Sequence, residues 1–285
     1  MSTVAVFTDL DRTLIYSARS SGQESVDGLE CVETYRDAPA SYVTPAAARD
    51  LRALDEVAVW VPTTTRTVAQ YRRVRLPRGP RSGPDHALCA NGGILLVDGH
   101  PDPAWAARVR AAVAGAAPGT EIGEALRRRG DALGPGALGE IRLAEDLFHY
   151  AVIDRGRITA AWLDDVAGWA EALGWRTSLQ GSKLYCLPAG LSKAAAAAEL
   201  ARRVGATTVL AAGDSLLDAD LLELADAGIH PRHGELGTAG WSAGHVAVTA
   251  SSGIAAGEEI ARWLRGAAEA GASSMEGHGR PRRGA

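Results

Sequence analysis

Val4-Ala5-Val6-Phe7-Thr8-Asp9-Leu10-Asp11-Arg12-Thr13-Leu14 begins as an unbroken apolar run and ends on two aspartates two residues apart, followed by a hydroxyl. Such a run reads as a buried-type strand that delivers carboxylates at its carboxyl end. A second segment repeats the design: Val209-Leu-Ala-Ala leads into Gly213-Asp214-Ser215-Leu216-Leu217-Asp218. In open α/β sheets, ligands bind beyond the carboxyl ends of the strands, where both acidic groups fall. If Asp9, Asp11, Asp214 and Asp218 converge, they repel one another unless a counter-charge sits among them. An all-oxygen donor set with room for water and a phosphate oxygen suits Mg²⁺ better than zinc or copper.

Two further pieces follow in chain order. After an apolar strand at 57–61 comes Pro62-Thr63-Thr64-Thr65-Arg66-Thr67, in which Thr67 and Gln70 have the spacing of a capping box. Hydroxyls at a helix start favour phosphate. Farther on, Pro188-Ala189-Gly190-Leu191-Ser192-Lys193 opens an alanine-rich helix to about residue 204, with Ser192 as N-cap. A lysine in the first turn opposes the helix dipole, and an anionic ligand removes the conflict. Of the 30 basic residues, all but Lys183 and Lys193 are arginine, so a lysine here is informative. A point charge that must touch both a carboxylate and a phosphate oxygen calls for an ammonium rather than arginine's planar fork.

Apolar runs predict strands at 4–8, 57–61, 86–90, 207–212, 227–229 and 245–249. Helices are expected from Pro45 to about residue 54 and at 66–74, 193–204, 216–226 and 255–269. That alternation implies α/β architecture with a doubly wound parallel sheet. A polar stretch at 17–42 reads as a flap with short strands. Between Gly93 and Pro188 the rhythm changes. Strands at 94–97, 140–143, 148–153, 176–178 and 184–187, with helices at 103–114, 120–129 and 159–172, describe an α+β insertion. The expected organisation is a core of 1–93 and 188–270, an inserted cap of 94–187, and a disordered tail of 271–285 too poor in apolar surface to order itself.

Taken in order, Asp9-Leu-Asp11-Arg-Thr13, Thr64-Thr-Arg66, Ser192-Lys193 and Gly213-Asp214-Ser-Leu-Leu-Asp218 resemble the four motifs of the haloacid dehalogenase (HAD) superfamily, over roughly residues 4–265. Ala90-Asn91-Gly92-Gly93 and the return through Leu187-Pro-Ala-Gly-Leu-Ser-Lys193 resemble its Cof-like branch with a type IIB cap. That branch includes sucrose-phosphate and mannosyl-3-phosphoglycerate phosphatases. The resemblance implies Asp9 as nucleophile, forming an aspartyl-phosphate, and Asp11 as the acid and then the base. It implies Thr64 and Lys193 as phosphoryl holders; Thr65, Arg66, Asn91 and Lys183 are candidate substrate contacts from their positions in the sequence. Mg²⁺ would be held by Asp9, Asp214 and the Asp11 carbonyl, with Asp218 a ligand or a supporting partner. Three positions depart from the pattern: Arg12 and Thr65 stand where glycine is usual, and Leu217 where asparagine is, with Asp220 nearby.

Competing readings exist for several residues. Asn91 fits a turn as well as a contact, and Arg66 a surface position as well as a phosphate contact. Arg142, Lys183 and Tyr185 lie on predicted cap strands whose alternation leaves their direction open. Trp105, Trp162, Trp169 and Trp175 read as cap core, His230 and His233 as loop, and Arg127-Arg128-Arg129 as a solvated helix end.

At 285 residues the chain suits a core plus an insertion. A net charge of −4 with arginines spread along the sequence shows no nucleic-acid footprint. No leader or membrane span is evident, which predicts a cytoplasmic protein. Cys31, Cys89 and Cys186 support neither a disulfide framework nor a zinc knuckle. The expectation is Mg²⁺-dependent hydrolysis of a small phosphorylated metabolite, a sugar or polyol phosphate; the oligomeric state stays open. The alternatives are a phosphosugar mutase, a binding or regulatory protein that keeps the fold without turnover, and a glycosyltransferase using Asp9-Leu-Asp11. The last does not explain Lys193.

Overall fold

The computed structural model describes residues 3–80 and 85–273. Its centre is a five-stranded parallel sheet in the order Val246–Val248, Ala227–His230, Thr208–Ala212, Val4–Thr8, Val59–Pro62. Val4–Thr8 is buried at every position, because the pleat sends Val4 and Val6 to one apolar cluster and Ala5 and Phe7 to the other. Helices Pro45–Val57 and Ile254–Ser273 cover the first face, while Lys193–Arg203 and Ala219–Leu224 cover the second. Both aspartate-bearing turns leave neighbouring strands on the same edge, since Thr8 and Ala212 are register partners.

The helix starts follow their caps. Thr44 accepts from the Ala47 N–H ahead of Pro45, Ser192 accepts from the Ala195 N–H, and Thr67 and Gln70 complete the predicted capping box. Two helices are shorter than expected: 216–226 is α-helical only over Ala219–Leu224, after a 3-10 turn at Leu216–Asp218. The 66–74 stretch is helical only over Val68–Tyr71, because Val74 bridges to Glu33 and the Arg75 N–H donates to the Val32 carbonyl. The polar flap supplies those partners: it is a hairpin of Glu30–Tyr35 and Ala38–Val43.

Ala87–Cys89 adds to the central sheet through a single parallel bridge, Thr63 to Leu88, and then pairs antiparallel with Ile94–Val97. A separate antiparallel sheet runs in the order Trp175–Gln180, Lys183–Pro188, Phe148–Val152, Arg142–Ala144. Helices Gly119–Asp131 and Ala160–Glu171 pack on it, giving the α+β cap beside the α/β core. Trp105 and Trp175 are buried, and Trp162 and Trp169 pack against the same apolar cluster. The final helix continues to Ser273, so residues 271–273 of the expected tail are helical; the rest of that tail lies outside the described residues. No described helix is long and apolar enough to cross a membrane.

Candidate active site

Asp9, Asp214 and Asp218 meet at the carboxyl edge of the sheet, each offering an oxygen within 4.8 Å of the others. The turn Gly213–Asp218 is tight. A Cβ at Gly213 would stand 2.3 Å from that of Asp218, so only glycine admits the close approach. Lys193, fully buried at the start of its helix, places Nζ 2.8 Å from Asp9 Oδ1 and 2.5 Å from Asp218 Oδ1. Asp220 steadies that helix start by accepting the Ser192 hydroxyl at 2.6 Å.

The three carboxylates have different commitments. Both oxygens of Asp218 are occupied, Oδ1 by Lys193 and Oδ2 by the N–H groups of Asp214 and Ser215 and the Ser215 hydroxyl. Asp9 receives Lys193 on Oδ1 and the Thr13 hydroxyl on Oδ2 at 3.3 Å. No hydrogen-bond donor among the described residues reaches the Asp214 carboxylate, and Arg12 Nε lies 3.6 Å away. Burial pushes the Asp9 carboxyl up to about 7, with Lys193 opposing and Asp218 adding to the shift. Burial and the charges of Asp9 and Asp218 push Asp214 well above its ordinary value. Lys193 moves upward because Asp218 and Asp9 outweigh the penalty of burying its charge. The cluster is short of positive charge, and Asp214 has the free oxygens. Residues of this kind fit a hard divalent cation.

Asp11 sits differently. Its carboxylate takes both Nε and Nη2 of Arg66, each at 2.7 Å, the bidentate geometry in which arginine is strongest. Although burial pushes the carboxyl up, the Arg66 hydrogen bonds and charge hold it below its ordinary value. Arg66 in turn stands 2.9 Å from Glu33, a buried acid on the flap hairpin that also receives Ser41 and Arg73. Sequence reasoning missed Glu33: a lone acid in a polar flap gives no signal of the side to which its strand turns it.

A cavity of about 440 Å³ opens over these groups, with Asp9, Asp11, Thr65, Arg66, Lys183 and Asp214 in its wall, and Glu33 and Tyr185 beside them. Thr64 is buried behind the wall, where its hydroxyl accepts the Arg66 N–H. Asn91 also lies off the wall. It occupies a left-handed turn (φ 56°) and donates to the Leu191 carbonyl, joining the third core strand to the loop before Lys193. Arg142 pairs with Glu140 outside the cavity. His230 and His233 contact the Pro231 carbonyl and the Gly253 N–H, away from the acidic cluster.

This architecture is the haloacid dehalogenase fold, a parallel core with an α+β cap and acidic turns at the carboxyl edge. A sucrose-phosphatase from Synechocystis, solved with sucrose and phosphate, is 16% identical, with a TM-score of 0.60 over 93% of this chain and 98% of its own. A HAD subclass IIB sugar phosphatase is 13% identical, with a TM-score of 0.57 over 93% and 98%. A haloacid dehalogenase-like hydrolase from Bacteroides thetaiotaomicron is 15% identical, with a TM-score of 0.55 over 95% and 99%. No family model and no curated protein matches the sequence. At these identities the likeness establishes the fold, and the chemistry must be argued from the residues.

Proposed function

We propose that the protein is a Mg²⁺-dependent phosphomonoesterase acting on a small phosphorylated metabolite, a sugar or polyol phosphate. The observation that carries this reading is the buried Asp9–Lys193–Asp218 triad beside an Asp214 carboxylate that no hydrogen-bond donor among the described residues satisfies. A buried carboxylate with a cation beside it, next to a second carboxylate with free oxygens, supports a nucleophile and a metal ligand at one strand edge. The sugar-phosphatase neighbours support the substrate class.

Asp9 attacks phosphorus through an oxygen, the bond to the ester oxygen breaks, and Asp11 gives that oxygen its proton. Asp11 then takes a proton from water, which attacks the aspartyl-phosphate and releases inorganic phosphate with Asp9 restored. Lys193 keeps Asp9 aligned and offers its remaining N–H to a phosphoryl oxygen, while Thr64, behind the cavity wall, supports the site by accepting the Arg66 N–H. Asp9, Asp214 and the Asp11 carbonyl are the groups that would hold Mg²⁺, with Asp218 anchoring Lys193 and the turn. When bound, the ion neutralises charge on the transferring oxygens and lowers the proton affinity of Asp9 and Asp214. Asp11 must leave Arg66 to act as an acid, and an arriving phosphate dianion competes for that guanidinium. The carboxylate released from it loses the interaction that lowers its proton affinity, and burial then favours the proton.

Phosphate release across a panel of sugar and polyol phosphates tests the reading. Activity is expected to vanish in chelator and return with Mg²⁺, and Asp214→Asn is expected to raise the Mg²⁺ requirement at least tenfold. Full turnover in chelator would remove the metal from the account. Transfer of the phosphoryl group back to substrate without release would favour the mutase.

A stability measurement is independent of turnover. A carboxyl whose pKa is raised on folding contributes most below its unfolded value, and the contribution is lost as pH climbs from about 4 through about 7. In chelator, the Tm of the wild-type protein should therefore fall relative to Asp9→Asn between about pH 5 and about pH 8, and Mg²⁺ should close the gap. Parallel curves would mean that Asp9 ionises without strain.

A further inference from the structure

A second cavity, of about 790 Å³, adjoins the first, and the two share a wall of Arg12, Ser17, Ser20, Gly181 and Ser182. Its charged lining is Arg12, Arg19 and Arg155 against a single carboxylate, Asp154, one of whose oxygens is held by the Gly156 N–H. The guanidiniums are sparingly used. Arg155 donates to the Gly181 carbonyl at 2.8 Å, and Arg12 donates to the His233 carbonyl at 3.2 Å. Arg12 Nε is buried with no hydrogen-bond partner, and Arg19 makes no hydrogen bond or ion pair among the described residues. Each guanidinium carries five donors, so most are free.

Gly181 organises the pair. It lies in the hairpin turn between Trp175–Gln180 and Lys183–Pro188 with φ 57°, and a Cβ there would stand 3.6 Å from Arg12 Nη1. Arg12 and Arg155 thus flank one glycine, and Arg12 stands at the Asp214 end of the row. A line of cations leads from the carboxylate cluster into the second cavity. An uncharged sugar or polyol offers the guanidiniums of this lining only neutral hydroxyl acceptors, whereas an ionised group makes hydrogen bonds roughly twice as strong. We infer that the substrate is a phosphomonoester bearing a second anionic group, a carboxylate or another phosphate, which Arg12, Arg19 and Arg155 receive while its first phosphate lies over Asp9. The inference rests on the phosphomonoesterase reading above and narrows it.

Matched esters test it: glycerol 3-phosphate against 3-phosphoglycerate, and fructose 6-phosphate against fructose 1,6-bisphosphate. In Mg²⁺, the charged member of at least one pair is expected to exceed its partner in kcat/KM by about tenfold or more, the scale of a charge-assisted hydrogen bond. The pair that responds identifies carboxylate or phosphate. The double variant Arg19→Gln/Arg155→Gln should lose at least tenfold more on the charged member than on its partner. Simple steering of anions would instead slow all four esters together. Equal use within both pairs, or a preference that survives the double variant, overturns the second-anion site.

Calorimetric binding of the same four esters to Asp9→Asn separates this failure from failure of the chemistry. Tighter binding of a charged member without turnover by the wild type sinks the phosphatase reading and keeps the site. Equal binding within both pairs overturns the site whatever the turnover.

Discussion

Asp9→Asn is expected to lower phosphate release by roughly 10⁴-fold or more while the protein stays folded. The change keeps the side-chain volume, and an amide oxygen can still accept from Lys193, which stands 2.8 Å from Asp9 Oδ1. What disappears is the carboxylate that the proposed mechanism uses to form the bond to phosphorus, held beside the Lys193 ammonium. Burial already disfavours the carboxylate at this position, so replacing it with a neutral group costs the fold little. Phosphate release by the purified variant, compared at saturating Mg²⁺, decides the matter. Residual activity above a few per cent of wild type would show that water, or another residue, attacks phosphorus directly.

Lys193→Arg is the second large effect. Its ammonium lies fully buried between Asp9 and Asp218, at 2.8 and 2.5 Å. A planar guanidinium is too wide for that gap, so charge is conserved and geometry is not. The expected loss in kcat is about 10²-fold, comparable to removing one preorganised donor from a charge-stabilising site. Lys193→Ala also leaves two buried carboxylates without their cation, which costs about 3–5 kcal/mol of stability. Lys183→Arg is the comparison. That lysine is exposed on the cavity rim, and its exchange should change KM by no more than about threefold. Near-wild-type kcat for Lys193→Arg would assign phosphoryl binding to other groups.

The parts of this molecule that could be read in its sequence are those fixed by the backbone. Apolar runs gave away the central strands because burial on both faces favours apolar residues at 4–7 and 209–212. Thr44, Thr67 and Ser192 marked helix starts because a cap bond is local. Asp9, Asp214 and Lys193 stood out because strand ends and helix starts aim them without help from distant residues. The Asp11–Arg66–Glu33 chain did not stand out. It joins a strand turn, a short helix start and a flap hairpin, and no spacing within one segment encodes that meeting. The early end of the 66–74 helix has the same origin, since the flap competes for its last backbone groups. Thr64 and Asn91 show the converse limit: their positions were legible, but not that both side chains would lie behind the cavity wall.

Arg12 holds a left-handed backbone, φ 66°, at a place where glycine would rest without strain. For an arginine that conformation costs roughly 1–2 kcal/mol, whereas glycine there gives up about 0.5–1 kcal/mol in the unfolded chain instead. The balance leans to glycine by roughly 0.5–1 kcal/mol, and the arginine side chain opposes it with an ion pair to Asp214 at 3.6 Å and a hydrogen bond to the His233 carbonyl. On the proposed reading, a lineage drifting to glycine at position 12 is expected to keep its fold and to reveal the change as a wider diet.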